Sequence, residues 1–222
     1  VVVSGISYLS YLLKRYVFHE SGTLVSGIIG GLYSSTATIS VLARKSRKAS
    51  EQEATDYVAA MLLAVSMMFL RFMILILIFS REIFLSIYPY LLTMAVVAAI
   101  VAWFIHSRQK RPEDQSAETE EDDSSNPLEF KVALIFAVLF VIFTFLTHYT
   151  LVYAGTGGLN LLSFVSGFSD ITPFILNLLQ NTGSVAALII TACSMQAIIS
   201  NIMVNMFYAL FFAGKGSKLR PW

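Results

Sequence analysis

Long apolar runs separated by short polar stretches are the feature that most constrains how this chain folds. Six runs of about 20 residues or more cover residues 24–43, 57–79, 83–105, 128–153, 159–179 and 185–213. A helix of about 20 apolar residues crosses the hydrocarbon core of a bilayer. Residues 1–13 form a shorter run, and the sequence begins without a methionine, so we interpret this run as the end of a longer first span. The pattern predicts an all-α polytopic transmembrane helix bundle of about seven helices.

Charge is too scarce for a soluble domain. Charged residues are 13% of the chain and hydrophobic residues are 56%, whereas soluble domains carry about 25% charged residues. The net charge is +1, and no basic stripe indicates a nucleic-acid partner. The lipid bilayer is therefore the predicted partner of the apolar surface. The chain is therefore predicted to cross a membrane several times.

Residues 106–126 interrupt the apolar pattern. This segment is rich in Ser, Glu and Asp and has almost no apolar residue, so it is predicted to be a disordered acidic linker on the cytoplasmic side. It divides the chain into a first membrane repeat with a connector helix at 1–105, the linker at 106–126, and a second membrane repeat at 127–222.

Lys and Arg residues in short loops set the orientation of a membrane protein. Seven alternating helices place the basic loop after residue 43 and the basic start of the linker on one face, which we assign to the cytoplasm. The same alternation places five positive charges on the other face: Lys14, Arg15, Lys215, Lys218 and Arg220. Seven positive charges thus agree with this orientation and five oppose it.

Two stretches of the sequence resemble each other. Residues 27–36 resemble residues 165–173: when Gly31 is aligned with Gly167, Ser34 matches Asp170 and Thr36 matches Thr172. A loop six residues longer in the first copy then places Arg71 opposite Asn201. The alignment predicts two three-helix repeats of parallel topology joined by a connector helix. Internal repeats of this kind are common among transporters. The alternative is that small residues recur by chance in membrane helices.

Two opposite charges are predicted near the middle of the third and sixth spans. They are Arg71 and Asp170. An ionised side chain at that depth costs about 2.5–3.5 kcal/mol or more, so each is expected to face the bundle interior or water. The hypothesis is that the two meet or share a polar cavity, with Asp170 as charged ligand or proton carrier and Arg71 as gating partner or anion anchor. A static ion pair that fixes helix packing is the alternative.

Small residues complete the predicted site. The predicted polar lining is Ser34, Ser35, Thr36, Thr172 and Asn201. Such side chains either supply oxygen atoms to a desolvated ion or hold helices together. The residues predicted to break helices or allow close packing are Gly27, Gly30, Gly31, Gly167 and Pro173.

No sequence pattern typical of catalysis is found. The three histidines are far apart, the chain has one cysteine, and phosphate-binding loops, nucleophile elbows and zinc-protease motifs do not occur. We therefore expect no enzymatic activity and no cofactor, and the sequence identifies no metal.

The chain resembles the bacterial membrane family DUF4010, a domain of unknown function, over nearly its whole length. The motifs are SGISY at 4–8, GGLYSSTAT at 30–38, FLR at 69–71, NPL at 126–128, GFSD at 167–170 and SN at 200–201. The family pattern has a second acidic residue where this chain has Thr172, and a lysine where it has Asn205. Its members often follow a region similar to MgtC/SapB, so the resemblance implies an MgtC-like membrane region as a partner. It also implies a multi-pass location in the bacterial inner membrane, and it implies no defined activity.

Two functions remain open from the sequence. The favoured one is a membrane transporter or channel for a small ion or polar solute, with a midplane site between the repeats. The alternative is a non-transporting interaction or regulatory domain that partners an MgtC-like region. A polar, water-reaching cavity at Asp170 favours transport, whereas a dry ion pair favours the partner role.

Overall fold

Six helices account for almost all of the chain that the structure, a computed structural model, describes; these residues are 22–47, 49–108, 127–181 and 185–213. No strand occurs within these ranges. The helices are α1 (Thr23–Lys45), α2 (Glu51–Phe79), α3 (Arg81–Ser107), α4 (Pro127–Ser166), α5 (Ile171–Gln180) and α6 (Ala187–Phe212). The predicted all-α fold is confirmed. The predicted span at 1–13 and nearly all of the predicted linker lie outside the described residues.

Four helical segments are long and apolar enough to cross a bilayer. By length and composition they are Glu53–Phe79, Arg81–Ser107, Ala187–Phe212 and Ala137–Ser166, the last of which contains a backbone break at Gly155. Their outward faces carry large apolar side chains, such as Trp103, which is 70% exposed, and Phe207, which is 62% exposed. A soluble protein rarely exposes so much contiguous apolar surface, whereas lipid covers it at no cost. The chain is therefore a helical membrane protein.

Helix α1 is not a straight span. Ser34, inside it, has the extended backbone angles φ −156° and ψ 106°. A Cβ atom built on Gly30 would lie 2.8 Å from Cγ2 of Thr38, although eight residues span about 12 Å in a continuous helix. The chain therefore folds back at Ser34, and α1 consists of two half-helices, 23–33 and 35–45.

The first half-helix of α1 runs beside α2 in the same direction. A Cβ atom on Gly27 would collide with the backbone of Ala60, and one on Gly31 would lie 2.6 Å from the carbonyl oxygen of Ala64. Both partners advance by four residues, so the two segments are parallel. Glycines four residues apart allow this close approach of two backbones.

Two compact units make up the chain. The first comprises residues 1–75, 89–120 and 205–222, and the second comprises 76–88 and 121–204. Helices α2, α3 and α6 each contribute to both units. The division into repeats and a linker along the sequence stays a prediction.

The ends of α1 and α6 meet at one end of the first unit, which we call the basic end. The guanidinium carbon of Arg44 lies 4.7 Å from the ring centroid of Phe212, and Nη2 of Arg47 donates to the carbonyl oxygen of Phe211 at 3.3 Å. Seven full spans would separate these two helix ends by the thickness of the membrane. The prediction that the chain leaves its last helix on the face opposite to the loop after α1 is therefore wrong.

The other helix ends of the first unit lie at the basic end as well. Nδ1 of His106, at the end of α3, is 2.9 Å from Oδ1 of Asp56, near the start of α2. Leu24, at the start of α1, packs against the core cluster that contains Leu42, near its end. The chain thus enters and leaves α1 at the same end of the unit.

Helix α4 also folds back. Gly155 has φ 58° and ψ −150° within it. A Cβ atom on Gly158 would lie 2.7 Å from Cγ2 of Thr150, eight residues earlier, a separation of about 12 Å in a continuous helix. Residues 127–154 therefore form the spanning segment of α4, and residues 156–166 form a half-helix that returns.

Helix α5 runs in the same direction as the spanning segment of α4. Phe174 packs on Phe143 with ring centroids 5.5 Å apart, and Nδ2 of Asn177 donates to Oγ1 of Thr144 at 2.8 Å. Further along α5, Asn181 lines the same cavity as residues 151–155. The half-helix 156–166 and α5 are therefore the two arms of a second hairpin.

The structure departs from the prediction at the second and sixth spans. Each is a re-entrant hairpin whose arms have about ten to twelve residues, or about 15–18 Å, roughly half of the hydrocarbon core. The arms of the second hairpin are as apolar as the long spans, whereas α1 is less apolar than α2, α3 and α6; both hairpins still form apolar runs long enough to be taken for spans. Pro173, predicted to kink a span, lies in the first turn of α5, where its missing N–H group is not needed.

Candidate functional site

The candidate site in the second unit is the break that separates the half-helix 156–166 from α5. Asp170 is the N-cap of α5, and its Oδ1 accepts a hydrogen bond from the backbone N–H group of Thr172 at 3.0 Å. A carboxylate there satisfies an open N–H group and interacts favourably with the helix dipole. Thr172 is buried, whereas Asp170 is exposed. One carboxylate oxygen thus serves the helix, and the exposed side chain keeps the other accessible.

Two side chains of α6 satisfy the carbonyl groups that the break exposes. The Ser200 hydroxyl donates to the carbonyl oxygen of Phe164 at 2.7 Å, and Nδ2 of Asn201 donates to that of Gly167 at 3.1 Å. A Cβ atom on Gly167 would lie 2.8 Å from the backbone nitrogen of Asn201, so glycine permits this approach. The prediction identified Asn201 and missed Ser200 as a site residue. Two adjacent polar residues in an apolar run were the signal.

The break in the second unit lies level with the middle of α6. Asn201 is the fifteenth residue of the 26-residue helix α6, so it lies within about 2 Å of the midpoint of that helix. Its side chain is bonded to the carbonyl oxygen of Gly167, so Gly167 lies at the same level. Asp170 follows three residues later in the chain, and its mid-membrane depth stays a prediction.

The first unit has a corresponding break at Ser34. Its Oγ accepts a hydrogen bond from the N–H group of Ala37 at 3.3 Å, which makes Ser34 an N-cap of the second half-helix. Ser35 is buried and Thr36 is half-buried. The two residues that the alignment pairs, Ser34 and Asp170, are thus both N-caps of half-helices.

The two breaks share a spacing. In each unit the glycine beside the break packs against a residue 33 positions later, 31 on 64 and 167 on 200. These contacts match Ala64 with Ser200. Arg71 lies seven residues beyond Ala64, so the predicted register that pairs Arg71 with Asn201 differs from the register of the contacts.

The two predicted charges belong to different units. Arg71 is 9% exposed within the α2 part of the first unit, and Asp170 lies in the second unit. Their predicted meeting stays a prediction, as does a lining shared by residues 34–36 and Asp170. Across the described ranges, no three His, Cys, Asp or Glu side chains come together as metal ligands. The break at Asp170 therefore offers hydrogen bonding and one carboxylate.

Comparison with known proteins yields a family and a relative. The model of the family DUF4010, described as a domain of unknown function, matches residues 1–213. An uncharacterized protein of Aquifex aeolicus (strain VF5) is 25% identical over 208 residues, which are 91% of this chain and 87% of that protein. No solved structure matches the chain. With the family pattern extending through all six described helices, this membrane protein belongs to the DUF4010 family.

Proposed function

We propose that the protein transports a small ion or polar solute across the bacterial inner membrane, with the helix breaks as its substrate site. In the second unit, Asp170 is the charged ligand or proton carrier, and Thr172 and Asn201 line the break beside it. In the first unit, Arg71 is a gating residue or an anion anchor, and Ser34, Ser35 and Thr36 line the break there. The observation that carries this proposal is an exposed carboxylate beside a helix break that lies level with the middle of the apolar helix α6.

An exposed carboxylate at that depth requires a polar neighbour. Lipid next to an ionised side chain costs about 2.5–3.5 kcal/mol by insertion scales and more by simulation, so such residues face water-filled cavities or the bundle interior. The α5 backbone already uses one oxygen of Asp170 through the N–H group of Thr172. The second oxygen is then the group that meets water, a proton or a cation.

Half-helices that end near the middle of the membrane occur in many transporters. Non-helical backbone is tolerated there only where it lines a cavity or is buried in protein. The N-termini and open carbonyl groups of such half-helices bind ions and substrates in secondary transporters, many of which are built from repeats. The equal spacing of 33 residues in the two units supports two repeats, each a hairpin followed by a span. Helix α2 begins at the basic end and α6 ends there, so these repeats have inverted topology, in contrast to the predicted parallel one.

The distribution of basic residues supports a cytoplasmic location of the basic end. Twelve of the 15 Lys and Arg residues belong to the segments 14–15, 44–48, 108–111 and 215–220. Three of these segments lie at or within three residues, in the sequence, of the ends of α1, α3 and α6 at the basic end, and residues 14–15 precede the start of α1 by eight residues. In an arrangement of seven full spans, five of these charges oppose the positive-inside rule. With a cytoplasmic basic end, the same five charges agree with it.

We assign the protein to transport and not to catalysis. The polar groups at the breaks are hydroxyls, an amide and a single carboxylate. Nucleophilic or general acid–base catalysis requires a nucleophile and a base within hydrogen-bond distance. A lone N-capping carboxylate instead suits reversible binding of a proton or cation.

The substitution Asp170→Asn tests the proposal. Asparagine is as good an N-cap as aspartate, so the variant keeps the helix cap and loses the charge. In proteoliposomes, we expect the wild-type protein to increase the flux of protons, Na⁺, Rb⁺ as a tracer for K⁺, or chloride above that of empty liposomes. We expect Asp170→Asn to lower that flux at least tenfold without changing the thermal stability.

Two further variants separate charge from capping. Asp170→Ala removes both and should also lose about 1 kcal/mol of stability. Glu82→Gln neutralises an exposed carboxylate in the first turn of α3 and should leave the flux unchanged. Equal flux in the wild-type protein and Asp170→Asn, or no flux of any tested ion, would reject the transport site and favour a non-transporting partner of an MgtC-like region.

A further inference from the structure

The basic end of the first unit carries three exposed positive side chains close together in the sequence. Arg44 and Lys45 lie in the last turn of α1, Arg47 follows two residues later, and all three are exposed. The ion pair that the described side chains form at this end joins His106 to Asp56. The three cations are therefore not paired with a described carboxylate, and the proposed transport site at the helix breaks does not use them.

Contacts with the end of α6 position both arginines. The guanidinium carbon of Arg44 lies 4.7 Å from the ring centroid of Phe212, and a contact with the face of a ring occupies no N–H group. Nη2 of Arg47 donates to the carbonyl oxygen of Phe211 at 3.3 Å. Because a guanidinium has five N–H donors, both arginines keep donors for another acceptor. Phosphate is an acceptor that matches the planar fork of arginine.

Large apolar side chains lie on the turns that precede these cations. On α6, Phe207 is 62% exposed and Phe211 is 69% exposed, and a spacing of four residues places them on one face of the helix. On α1, Val41 is 52% exposed and lies one turn before Lys45. The exposed surface of α1 and α6 is thus apolar along the helices and positively charged at their ends.

This change from apolar to charged surface lies where the hydrocarbon core meets water. Trp103, three residues before His106 on α3, is 70% exposed, and tryptophan is enriched at the boundary between membrane and water. A phospholipid has the same division, with a phosphate at the boundary and acyl chains below it. Clusters of basic residues at helix ends bind anionic headgroups. A free anion would use the cations and leave the apolar side chains unoccupied, so the surface fits a lipid better.

We propose that this surface binds an anionic phospholipid. The guanidinium groups of Arg44 and Arg47 and the ammonium group of Lys45 hold its phosphate, and its acyl chains lie along Phe207 and Phe211. The bound lipid contacts the ends of α1 and α6 together, so it stabilises their junction. This site is independent of the proposed transport site.

Thermal unfolding of the full chain in detergent tests the lipid site. We compare phosphatidylglycerol, phosphatidylcholine with the same acyl chains, and glycerol 1-phosphate. At about ten times the dissociation constant, phosphatidylglycerol should raise the melting temperature by about 3–5 °C. The other two compounds at the same concentration should raise it by less than about 1 °C. The headgroup of phosphatidylcholine has no net charge, and glycerol 1-phosphate has no acyl chains.

Variants show whether the lipid binds at the basic end. Lys45→Gln should lower the rise with phosphatidylglycerol, and it leaves the contacts of Arg44 and Arg47 with α6 in place. The triple variant with Arg44→Gln and Arg47→Gln should lower the rise below about 1 °C. Arg81→Gln removes an exposed positive charge at the opposite end of α3 and should keep the full rise.

Four outcomes would overturn the lipid site. An equal rise with phosphatidylcholine would show that the headgroup charge is not recognised, and an equal rise with glycerol 1-phosphate would show that the cations bind a free anion. A rise that persists in the triple variant, or one that Arg81→Gln lowers equally, would place the lipid elsewhere. The absence of any rise in the wild-type protein would likewise reject the site.

Discussion

Gly155 and Ser34 reverse the chain by different means. Gly155 adopts φ 58° and ψ −150°, a region that only glycine enters without strain. Ser34 and Asp170 adopt extended angles that any residue can adopt, and each caps the next helix with its own side chain. The reversal at Gly155 therefore requires a residue without a side chain, and the breaks at Ser34 and Asp170 require a polar side chain.

Replacement of Gly155 should be costly although space is available. A Cβ atom there would meet nothing within 4 Å, so the cost of Gly155→Ala is conformational, about 1–3 kcal/mol. Gly157 is the matched control, since its Cβ atom would also meet nothing within 4 Å and it lies in helical conformation. Gly157→Ala should be neutral or stabilise by up to about 1 kcal/mol. Denaturation of both variants in detergent measures the difference, and equal stabilities would contradict the reversal at Gly155.

A second substitution should recover the stability lost on replacing Gly30 but not that lost on replacing Gly31. A Cβ atom on Gly30 would meet the Thr38 side chain, whereas one on Gly31 would meet the backbone of Ala64. Gly30→Ala and Gly31→Ala should each cost about 1–3 kcal/mol. Adding Thr38→Ala should restore much of the loss in Gly30→Ala and none in Gly31→Ala. A double-mutant cycle of unfolding measurements gives this coupling, and the absence of coupling between positions 30 and 38 would contradict the hairpin.

At the scale of helices, the sequence predicts which segments are apolar helices, but not the direction in which each helix crosses the membrane. The length of the apolar runs identified every described helix as a membrane segment. The alignment of Gly31 with Gly167 matched Ser34 with Asp170, the two residues at which the helices break. The sequence could not predict the reversals, because each hairpin forms an apolar run of about 20 residues, which is long enough to be taken for a span. They differ in a few residues at the break, whose effect depends on tertiary contacts such as that of Gly167 with α6.

Asn201 should stabilise the second hairpin by capping its break from α6. Asn201→Leu leaves the Gly167 carbonyl group without its amide donor, which should cost about 1–3 kcal/mol and lower the melting temperature by several degrees. Asn160→Leu is the control, since Asn160 is exposed and accepts only a weak bond from the Cys193 thiol in the described structure. Equal melting temperatures of the two variants would show that the amide does not hold the break.

At the scale of the whole molecule, two hairpins change the sidedness of the loops. With seven full spans, the turn at residue 181 lies on the cytoplasmic face and the C-terminal tail lies outside. Because α5 runs parallel to the spanning segment of α4, we place residue 181 on the non-cytoplasmic face. Because Arg44 contacts Phe212, the end of α6 lies on the same face as the end of α1. Local contacts, and not the number of apolar runs, therefore determine the topology.

Labelling of single cysteines tests this sidedness. In a background with Cys193→Ala, a membrane-impermeant maleimide added to intact bacterial spheroplasts should modify Asn181→Cys and Ser80→Cys. It should reach Ser50→Cys only after the membrane is opened. Labelling of positions 181 and 50 from the same face would support a full sixth span at residues 159–179 and contradict the second hairpin. Ser80 and Ser50 serve as references because they lie at opposite ends of α2.

The short arms of the hairpins also bear on biosynthesis. An apolar arm of about ten residues covers only about half of the hydrocarbon core and leaves polar backbone at its tip. When the ribosome has delivered only the first hairpin, the helix that receives Gly27 and Gly31 is still being translated, because its contacting residues come 33 positions later. We therefore expect the nascent hairpin to wait at the membrane surface or inside the insertion machinery until that helix emerges, so that a hairpin and its following helix enter the lipid as one cotranslational unit.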